Sequence, residues 1–322
     1  MSPKRIYDPI VEKYAADSPN WDVTDVPSLR QIAQDYAEYC TLPMPPRDTD
    51  PDIEEIEITI PGADGTPDIP IRIYMPNGRS EPGPSFVNFH GGGFLMGDLE
   101  SEHINCMNMV RKAGCVAIGV DYRLAPEHPF PAGFDDCYQS YLWVLENAAS
   151  LYIDPNRVII GGSSAGGCLT AAVALKIRDT GITAPIFQML YYPVIDDRCN
   201  SPSMQSGNDC YVWTQSNSKQ MWDHYIGKNR SDVSAYAAPA RATDLSNLPP
   251  AFIMTCEHDP LRDEAIFFAM DLMNAGTPVE LHNYPGTTHS FDRMSPAPIA
   301  RRAADDAIQA AIRALNPPPL LD

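Results

Sequence analysis

The stretch that decides the fold is R-V-I-I-G-G-S-S-A-G-G-C-L-T, residues 157–170. The apolar run at 158–160 predicts a short strand buried on both faces, and residues 165–176 are rich in helix formers. Between them, residues 162–166 fit the pattern G-x-S-x-G with Ser164 at its centre. We therefore predict a strand, a tight turn and a helix, with Ser164 at the turn.

The small neighbours of Ser164 have a physical reason. A strand-to-helix turn this sharp strains its central residue and brings backbones close together, which glycine permits. The serine then lies at a helix N-terminus, where the dipole and free N–H groups favour an anion. A phosphate-binding loop would need a Gly-Lys-Ser/Thr ending, which is absent here. A loop that merely turns is the other alternative, so the surrounding motifs must decide.

Composition excludes some classes of function. The 322 residues are 44% hydrophobic, which suffices for one large α/β domain or two small ones. Acidic residues outnumber basic ones by 42 to 23, giving a formal charge of −19. A polyanion of this kind is a poor partner for nucleic acid or an anionic membrane. We expect neither as a partner.

The cysteines and the N-terminus indicate in which cellular compartment the protein is expected. Eight cysteines form no C-x-x-C pair and no metal-ligand spacing, so buried free thiols in a reducing compartment are expected. The first residues lack the apolar segment of a signal peptide, and no apolar run is long enough to span a bilayer. The expected location is cytoplasmic, and no metal is expected.

Two parts of the chain are predicted from these patterns. Residues 1–50 are polar and helical in pattern, with an amphipathic helix at 28–39, and form an N-terminal helical cap segment. Residues 51–322 form the catalytic domain, which opens with a β-hairpin. The hairpin is predicted from isoleucines that share a face within each strand, one face for Ile56, Ile58 and Ile60 and another for Ile71 and Ile73.

Strands and helices then alternate, which predicts a mostly parallel sheet covered on both faces. Further strands are predicted at 85–89, 116–121, 158–160, 186–191, 251–255 and 279–284. Helices are predicted at 101–112, 134–147, 165–178, 262–274 and 300–315. The alternation lapses between 193 and 245, where aromatic residues are scattered in a polar stretch. We interpret this part, at about 195–235, as a cap excursion above the sheet.

Other features converge on the edge where Ser164 is expected. The loop from His90 to Gly93 follows a strand, and its glycines allow backbone N–H groups to face a ligand, as an oxyanion hole requires. Asp259 follows the strand at 251–255, and His289 follows the last strand. Ligands of open α/β sheets bind at the carboxyl ends of strands. The order Ser, Asp, His is that of the α/β-hydrolase fold.

Alternative residues exist for two of these roles. Among the acids, Glu257 and Asp263 lie near Asp259, although Asp263 should lie on the following helix. Among the bases, His282 lies inside a strand, and His258 should point away from Asp259 in an extended segment. His90 is expected to brace the glycine loop and take no part in proton transfer. Asp259 and His289 are therefore preferred.

Four motifs together resemble the hormone-sensitive-lipase-like branch of the α/β-hydrolases, which includes many microbial carboxylesterases. They are H-G-G-G-F at 90–94, D-Y-R-L-A-P-E-H-P-F-P-A at 121–132, G-S-S-A-G-G at 162–167 and D-P-L-R-D at 259–263, with His289 beyond them. The resemblance covers residues 70 to 315 and implies an eight-stranded α/β-hydrolase fold with a helical cap. One departure is Ser163, where many members have Asp or Thr.

The resemblance implies roles for individual residues. Ser164 would be the nucleophile, His289 the base and Asp259 its orienting acid. The oxyanion hole would use the N–H groups of Gly92, Gly93 and Ala165, and Gly91 would shape the loop. The implied function is a serine carboxylesterase acting on small, short-acyl esters.

The implied chemistry needs no cofactor, and its partner is a small-molecule ester substrate. Oligomeric state is not specified by the sequence, and a homodimer is left open. Two alternatives also remain: a lactonase or amidase with the same triad, and a non-catalytic small-molecule receptor on the same fold. Relatives that act as receptors have lost the histidine, so His289 argues against the second alternative.

Overall fold

A computed structural model describes residues 5–19, 21–40, 51–63 and 65–316, with only the backbone for 36–40. Its eight strands form a single sheet in the order β1-β2-β4-β3-β5-β6-β7-β8. The strands are β1 (Ile53–Ile60), β2 (Ile69–Pro76), β3 (Gly83–Phe89), β4 (Val116–Val120), β5 (Ile153–Ser163), β6 (Phe187–Tyr191), β7 (Ala251–Cys256) and β8 (Val279–Tyr284). All neighbours are parallel except β1–β2 and β2–β4, so the expected mostly parallel sheet is confirmed.

Helices cover both faces of the sheet. They are α1 (Pro9–Ala16), α2 (Val26–Cys40), α3 (His103–Ala113), α4 (Ala132–Glu146), α5 (Ala165–Thr180), α6 (Pro202–Gln205), α7 (Gln215–Ile226), α8 (Arg262–Asn274) and α9 (Pro298–Leu315). Side chains of α4, α5 and α8 form the core on one face, and those of α3 and α9 form the core on the other. Along β5, Val158 and Ile160 join the first core and Ile159 joins the second, as the alternation of a strand requires.

The predicted elements are present, the helix at 262–274 and the strand at 279–284 with the predicted boundaries and most others with shifted ones. The largest change is in β5, which extends well beyond the predicted 158–160. Gly161 and Gly162 belong to this strand because they pair with β3 on one side and β6 on the other. Pairing, not side-chain character, therefore decides where this strand ends.

One prediction about the hairpin is wrong. Ile56 lies directly opposite Ile73, and Ile58 lies opposite Ile71, in the antiparallel register of β1 and β2. Residues directly opposite each other in an antiparallel pair project from the same face of the sheet. The two sets of isoleucines therefore share one face instead of occupying different ones. Sequence alternation gives the face within a strand, whereas register relates one strand to the next.

Several predicted features lie partly outside the described residues. The predicted N-terminal segment loses residues 1–4, 20 and 41–50, and the described part of it holds α1 and α2. Seven cysteines are free and buried as expected, while the side chain of Cys40 is outside the described part. Among the described residues, no helix combines the length and the apolar character needed to cross a bilayer.

Candidate active site

The turn between β5 and α5 holds Ser164 in a strained conformation. Its backbone has φ 54° and ψ −113°, a region that residues other than glycine rarely adopt. The Ser164 N–H donates to the carbonyl of Tyr191 at 2.8 Å, which fixes the turn to β6. Crowding accounts for the glycine at 166, because a Cβ there would lie 1.9 Å from the Phe89 carbonyl oxygen. The G-x-S-x-G stretch thus forms the sharp turn that its spacing predicts.

The structure brings Ser164, His289 and Asp259 into one hydrogen-bonded row. The Nδ1–H of His289 donates to Asp259 Oδ2 at 2.6 Å, which leaves Nε2 to accept from the Ser164 hydroxyl at 3.0 Å. Asp259 Oδ1 accepts from the Leu261 N–H at 2.9 Å, so both carboxylate oxygens are engaged. The exposed fractions are 7% for Ser164, 5% for His289 and 2% for Asp259, so the row is screened from bulk water.

Loops after neighbouring strands position the two partners of the serine. Asp259 lies in the loop after β7, and His289 lies in the loop after β8. The N–H of His258 donates to the carbonyl of Thr287 at 2.9 Å, which ties one loop to the other. Because β7 and β8 are parallel, both loops leave the sheet at the same edge.

The alternative acids and bases have other partners. Glu257 accepts from the Gly286 N–H at 2.6 Å, and Asp263 accepts from the Ser203 N–H at 2.7 Å. His282 Nε2 lies 3.0 Å from a carboxylate oxygen of Glu280 on the same strand. None of these groups hydrogen-bonds to Ser164 in the part of the chain that the structure describes.

The amino-terminal residues 5–8 run against the same two loops. His258 Nε2–H donates to the Ile6 carbonyl at 2.8 Å, and the Asp8 N–H donates to the Gly286 carbonyl at 2.8 Å. Gly286 has φ +69°, and a Cβ there would lie 2.6 Å from the Asp8 nitrogen. This segment therefore fixes the loop of Asp259 and the loop of His289 from outside the sheet.

The glycine loop after β3 lies against the turn that holds Ser164, since a Cβ on Gly166 would lie 2.6 Å from the His90 carbonyl oxygen. Gly92 and Gly93 have φ of +121° and +61°, conformations for which glycine is the suitable residue. Within the described ranges, no group accepts a hydrogen bond from the N–H of Gly92, Gly93 or Ala165. Gly91 has a different position, because a Cβ there would lie 2.7 Å from the Ser163 hydroxyl oxygen. Three donors thus remain for a ligand.

His90 packs behind this loop. Its Nδ1–H donates to the Gly91 carbonyl at 2.7 Å, and its ring stacks on Tyr122 with centroids 4.1 Å apart. Burial lowers the pKa of His90 below its ordinary value, which favours the neutral ring. These contacts agree with the predicted bracing role.

Aromatic residues enclose His289 from two directions. The Tyr192 ring meets the His289 ring edge-on with centroids 4.8 Å apart, and Trp213 lies 6.0 Å away. A Cβ at Gly93 would lie 3.2 Å from Trp213 Cη2, so this indole reaches the glycine loop as well. Trp213 precedes α7, within the predicted excursion.

Sequence reasoning missed a polar group behind the turn. The Ser163 hydroxyl donates to Glu102 at 2.5 Å, and Arg293 donates to the same carboxylate at 2.6 Å. The departure at Ser163 is the single sequence signal that pointed to this place, and it does not name the partners. No three His, Cys, Asp or Glu side chains are grouped as metal ligands within the described residues.

Comparison with known proteins places the chain in a class. Residues 86–293 match a family described by the alpha/beta hydrolase fold. The carboxylesterase NlhH of Mycobacterium tuberculosis is 39% identical over 271 residues, 83% of this chain and 84% of the relative. The ethyl acetate hydrolase of Pseudomonas putida is 34% identical over 230 residues, 70% of this chain and 72% of the relative.

A solved structure agrees over nearly the whole length. A bacterial heroin esterase superposes with a TM-score of 0.92 at 38% identity, covering 97% of this chain and 98% of the other. The fold and these matches define the class as hydrolases of the α/β-hydrolase fold. The chain belongs to the hormone-sensitive-lipase-like carboxylesterase branch of that family. It is an ester-hydrolysing enzyme.

Proposed function

We propose that this enzyme hydrolyses small, short-acyl esters with Ser164 as nucleophile, His289 as general base and Asp259 as the acid that orients the base. The observation that carries the proposal is the hydrogen-bonded row from Asp259 through His289 to Ser164, at 2.6 Å and 3.0 Å. Nδ1–H is held by the carboxylate, so Nε2 is the atom free to take a proton from the serine.

The reaction then proceeds in two halves. The Ser164 oxygen attacks the ester carbonyl as its proton moves to His289 Nε2, and the tetrahedral oxyanion accepts hydrogen bonds from Gly92, Gly93 and Ala165. The imidazolium returns the proton to the leaving alcohol, and an acyl-enzyme forms. Water, deprotonated by the same nitrogen, attacks the acyl group and regenerates Ser164 as the acid departs.

Close covering of the serine supports small substrates. Only 7% of Ser164 is exposed. The Trp213 ring lies near His289 and also reaches the glycine loop. The described amino-terminal residues and the excursion would act together as the cap, because Asn217 donates to the Trp21 carbonyl and His224 donates to the Val23 carbonyl. The relative named as an ethyl acetate hydrolase supports a short-acyl substrate in particular.

The nucleophile is tested by Ser164→Ala with p-nitrophenyl acetate. Loss of the attacking oxygen should reduce kcat by several orders of magnitude while the folded structure persists. Ser216→Ala is the matched control, since Ser216 is an exposed serine of α7 and should leave kcat unchanged. Substantial turnover by the purified Ser164→Ala protein would exclude Ser164 as nucleophile.

The substrate class is tested with an ester panel graded by acyl length. Rates should fall beyond about eight carbons, because a closely covered pocket leaves little room for a longer chain. Emulsified triglyceride should give no rise in rate when substrate passes its solubility limit. Lactones and amides of matched size belong in the panel, and a preference for either of them would replace the ester proposal.

A further inference from the structure

A buried carboxylate lies behind the nucleophile turn. Glu102 is 4% exposed, and its Oε1 accepts two hydrogen bonds, from the Ser163 hydroxyl at 2.5 Å and from Arg293 Nη2 at 2.6 Å. The other oxygen, Oε2, accepts from the side-chain amide of Asn105. Hydrogen bonds to an ionised group are short and strong, so this carboxylate holds its partners firmly.

The position of Glu102 on α3 shows that this arrangement is not a helix cap. Glu102 is the N-cap residue of α3, where an acidic side chain ordinarily accepts from the first N–H groups of the helix. Its side chain makes no such bond. One oxygen of the carboxylate instead accepts from the Asn105 side chain on the same helix, and the other accepts from the turn that holds Ser164.

The two tethers reach segments that carry different parts of the proposed site. Ser163 directly precedes the proposed nucleophile, and its hydroxyl oxygen lies 2.7 Å from where a Cβ on Gly91 would be. Arg293 ends the short 3-10 turn Phe291–Arg293, in the loop that carries His289. Its Nη1 also donates to the Ser101 carbonyl at 2.9 Å. One carboxylate therefore links the nucleophile turn to the histidine loop, and the glycine loop packs against the same serine, Ser163.

A second connection leads from the same loop to the imidazole ring. The Tyr192 hydroxyl donates to Asp292 at 2.8 Å, and the Tyr192 ring packs edge-on against His289 at 4.8 Å. Burial raises the pKa of Asp292, while the positive charge of Arg293 acts against that rise. Arg293 thus bonds to Glu102, and its charge also acts on Asp292, whose partner Tyr192 packs against His289.

We propose that Glu102 is a positioning residue that fixes the Ser164 oxygen relative to His289 Nε2. The proposal rests on the proposed function, because it presumes that these two atoms exchange a proton. An ion pair that only stabilises the fold would lower the melting temperature without changing kcat of the folded enzyme. A positioning residue would lower kcat and leave KM nearly unchanged, since displaced reacting groups lose rate more than they lose binding.

The experiment compares Glu102→Gln with Glu100→Gln. Glu100 lies two residues earlier, and its carboxylate accepts from Arg72 at 2.8 Å instead of from the turn. Both variants therefore remove one arginine-bound carboxylate from the same segment. Glu102→Gln should lower kcat on p-nitrophenyl acetate by about 10²-fold with KM within about twofold. Glu100→Gln should leave both constants close to those of the parent enzyme.

Variants at Ser163 test the same link with a smaller change. Ser163→Ala should lower kcat in the same way, and Ser163→Thr, which keeps a hydroxyl, should restore most of the loss. The double variant Ser163→Ala/Glu102→Gln should be no slower than the slower single variant, because both changes break one link. If Glu102→Gln does not fold, the two Ser163 variants decide whether the bond between Ser163 and Glu102 affects kcat.

Two outcomes overturn the proposal. One is a lower melting temperature for Glu102→Gln with an unchanged kcat, and the other is strictly additive losses in the double variant. A phosphonate ester that labels the nucleophile gives a second measure, and its labelling rate should fall together with kcat. Failure of the proposed function would look different, because Ser164→Ala would then retain activity whatever the Glu102 variants do.

Discussion

Asp259 is the most enclosed member of the proposed triad. Its side chain is 0% exposed, and its two oxygens are divided between the His289 ring and the Leu261 N–H. This sharing sets the direction of the Oδ2–Nδ1 contact and with it the tautomer of the imidazole. The neighbouring acids face elsewhere, Glu257 towards Gly286 and Asp263 towards Ser203.

Replacing this carboxylate should therefore impair proton transfer specifically. Asp259→Asn keeps the shape but can hold the imidazole in the wrong tautomer, and we expect kcat to fall by up to about 10⁴. Steady-state rates on p-nitrophenyl acetate measure the effect. Asp263→Asn and Glu257→Gln are the controls and should retain most of the activity. An inactive control beside an active Asp259→Asn would assign the acid elsewhere.

Backbone atoms occupy the space around the turn between β5 and α5 that side chains would otherwise fill. Ser164 has a positive φ, and the carbonyl oxygen of Phe89 occupies the space where a Cβ on Gly166 would lie. Gly119, in strand β4 on the far side of β3, differs in that a Cβ there would meet nothing closer than 3.8 Å. A glycine at the start of α5 and a glycine of β4 thus differ in whether they can accept a side chain.

We expect Gly166→Ala to destabilise the protein by about 3 kcal/mol, at the upper end of the cost of overpacking, because the obstructing atom is backbone. Gly119→Ala should change the free energy of unfolding by less than about 1 kcal/mol. Urea unfolding of both variants measures the difference. Equal stabilities would mean that the turn can open to admit a side chain.

The segment around α7 contains two tryptophans in different surroundings. Trp213 contacts His289 and reaches the glycine loop, and its indole N–H donates to Ser218 at 2.9 Å. Trp222 is 0% exposed and packs against Phe94 and Tyr225. Both rings are buried in the same core, and Trp213 in addition borders the proposed reacting groups.

Truncating these rings should give different results. Trp213→Ala should change the ratio of kcat/KM between two esters that differ in the alcohol, because that ring borders the proposed base His289. Trp222→Ala should lower the melting temperature and preserve the ratio, since it leaves a cavity in the core. If both variants kept the parent ratio, the predicted role of the excursion in substrate choice would be wrong.

Across the whole molecule, the features that could be predicted from the sequence are those that the parallel arrangement of the strands determines. Ser164, Asp259 and His289 each follow a strand, and the carboxyl ends of parallel strands meet at one edge, so their meeting was predictable. The link between Ser163 and Glu102 was not, because the two residues are 61 positions apart and joined through side chains. The prediction that the two sets of isoleucines occupy different faces was wrong for the same reason. The pairing with β1, and not the alternation within β2, decides which face Ile71 and Ile73 share with the isoleucines of β1.

One partly buried carboxyl group, that of Asp121, gives the stability of the protein a pH dependence. Burial raises the pKa of Asp121 from 3.8 to about 6, and the charge of Asp98 adds to the rise. The folded state thus prefers the neutral carboxyl. Its stabilising contribution is complete below pH 3.8 and is lost as the pH rises through about 6.

Asp121→Asn should consequently raise the melting temperature at pH 8, where the parent enzyme carries a partly buried charge. The gain should shrink towards pH 4, where the folded parent is already protonated at this position. Thermal unfolding at pH 4, 6 and 8 follows the change. Asp232→Asn removes an exposed charge and controls for net charge. A gain that is constant across this range would contradict the raised pKa.

The amino-terminal residues 5–8 have a consequence for engineering by recombination. Their backbone hydrogen-bonds to His258 and Gly286, in the loops that carry Asp259 and His289, and the Tyr7 ring meets the His258 ring with centroids 4.6 Å apart. A chimaera that takes its first residues from a homologous gene would place foreign side chains against those two loops. Crossover points should therefore keep residues 5–8 together with 257–259 and 286 from the same parent, although more than 240 positions separate them.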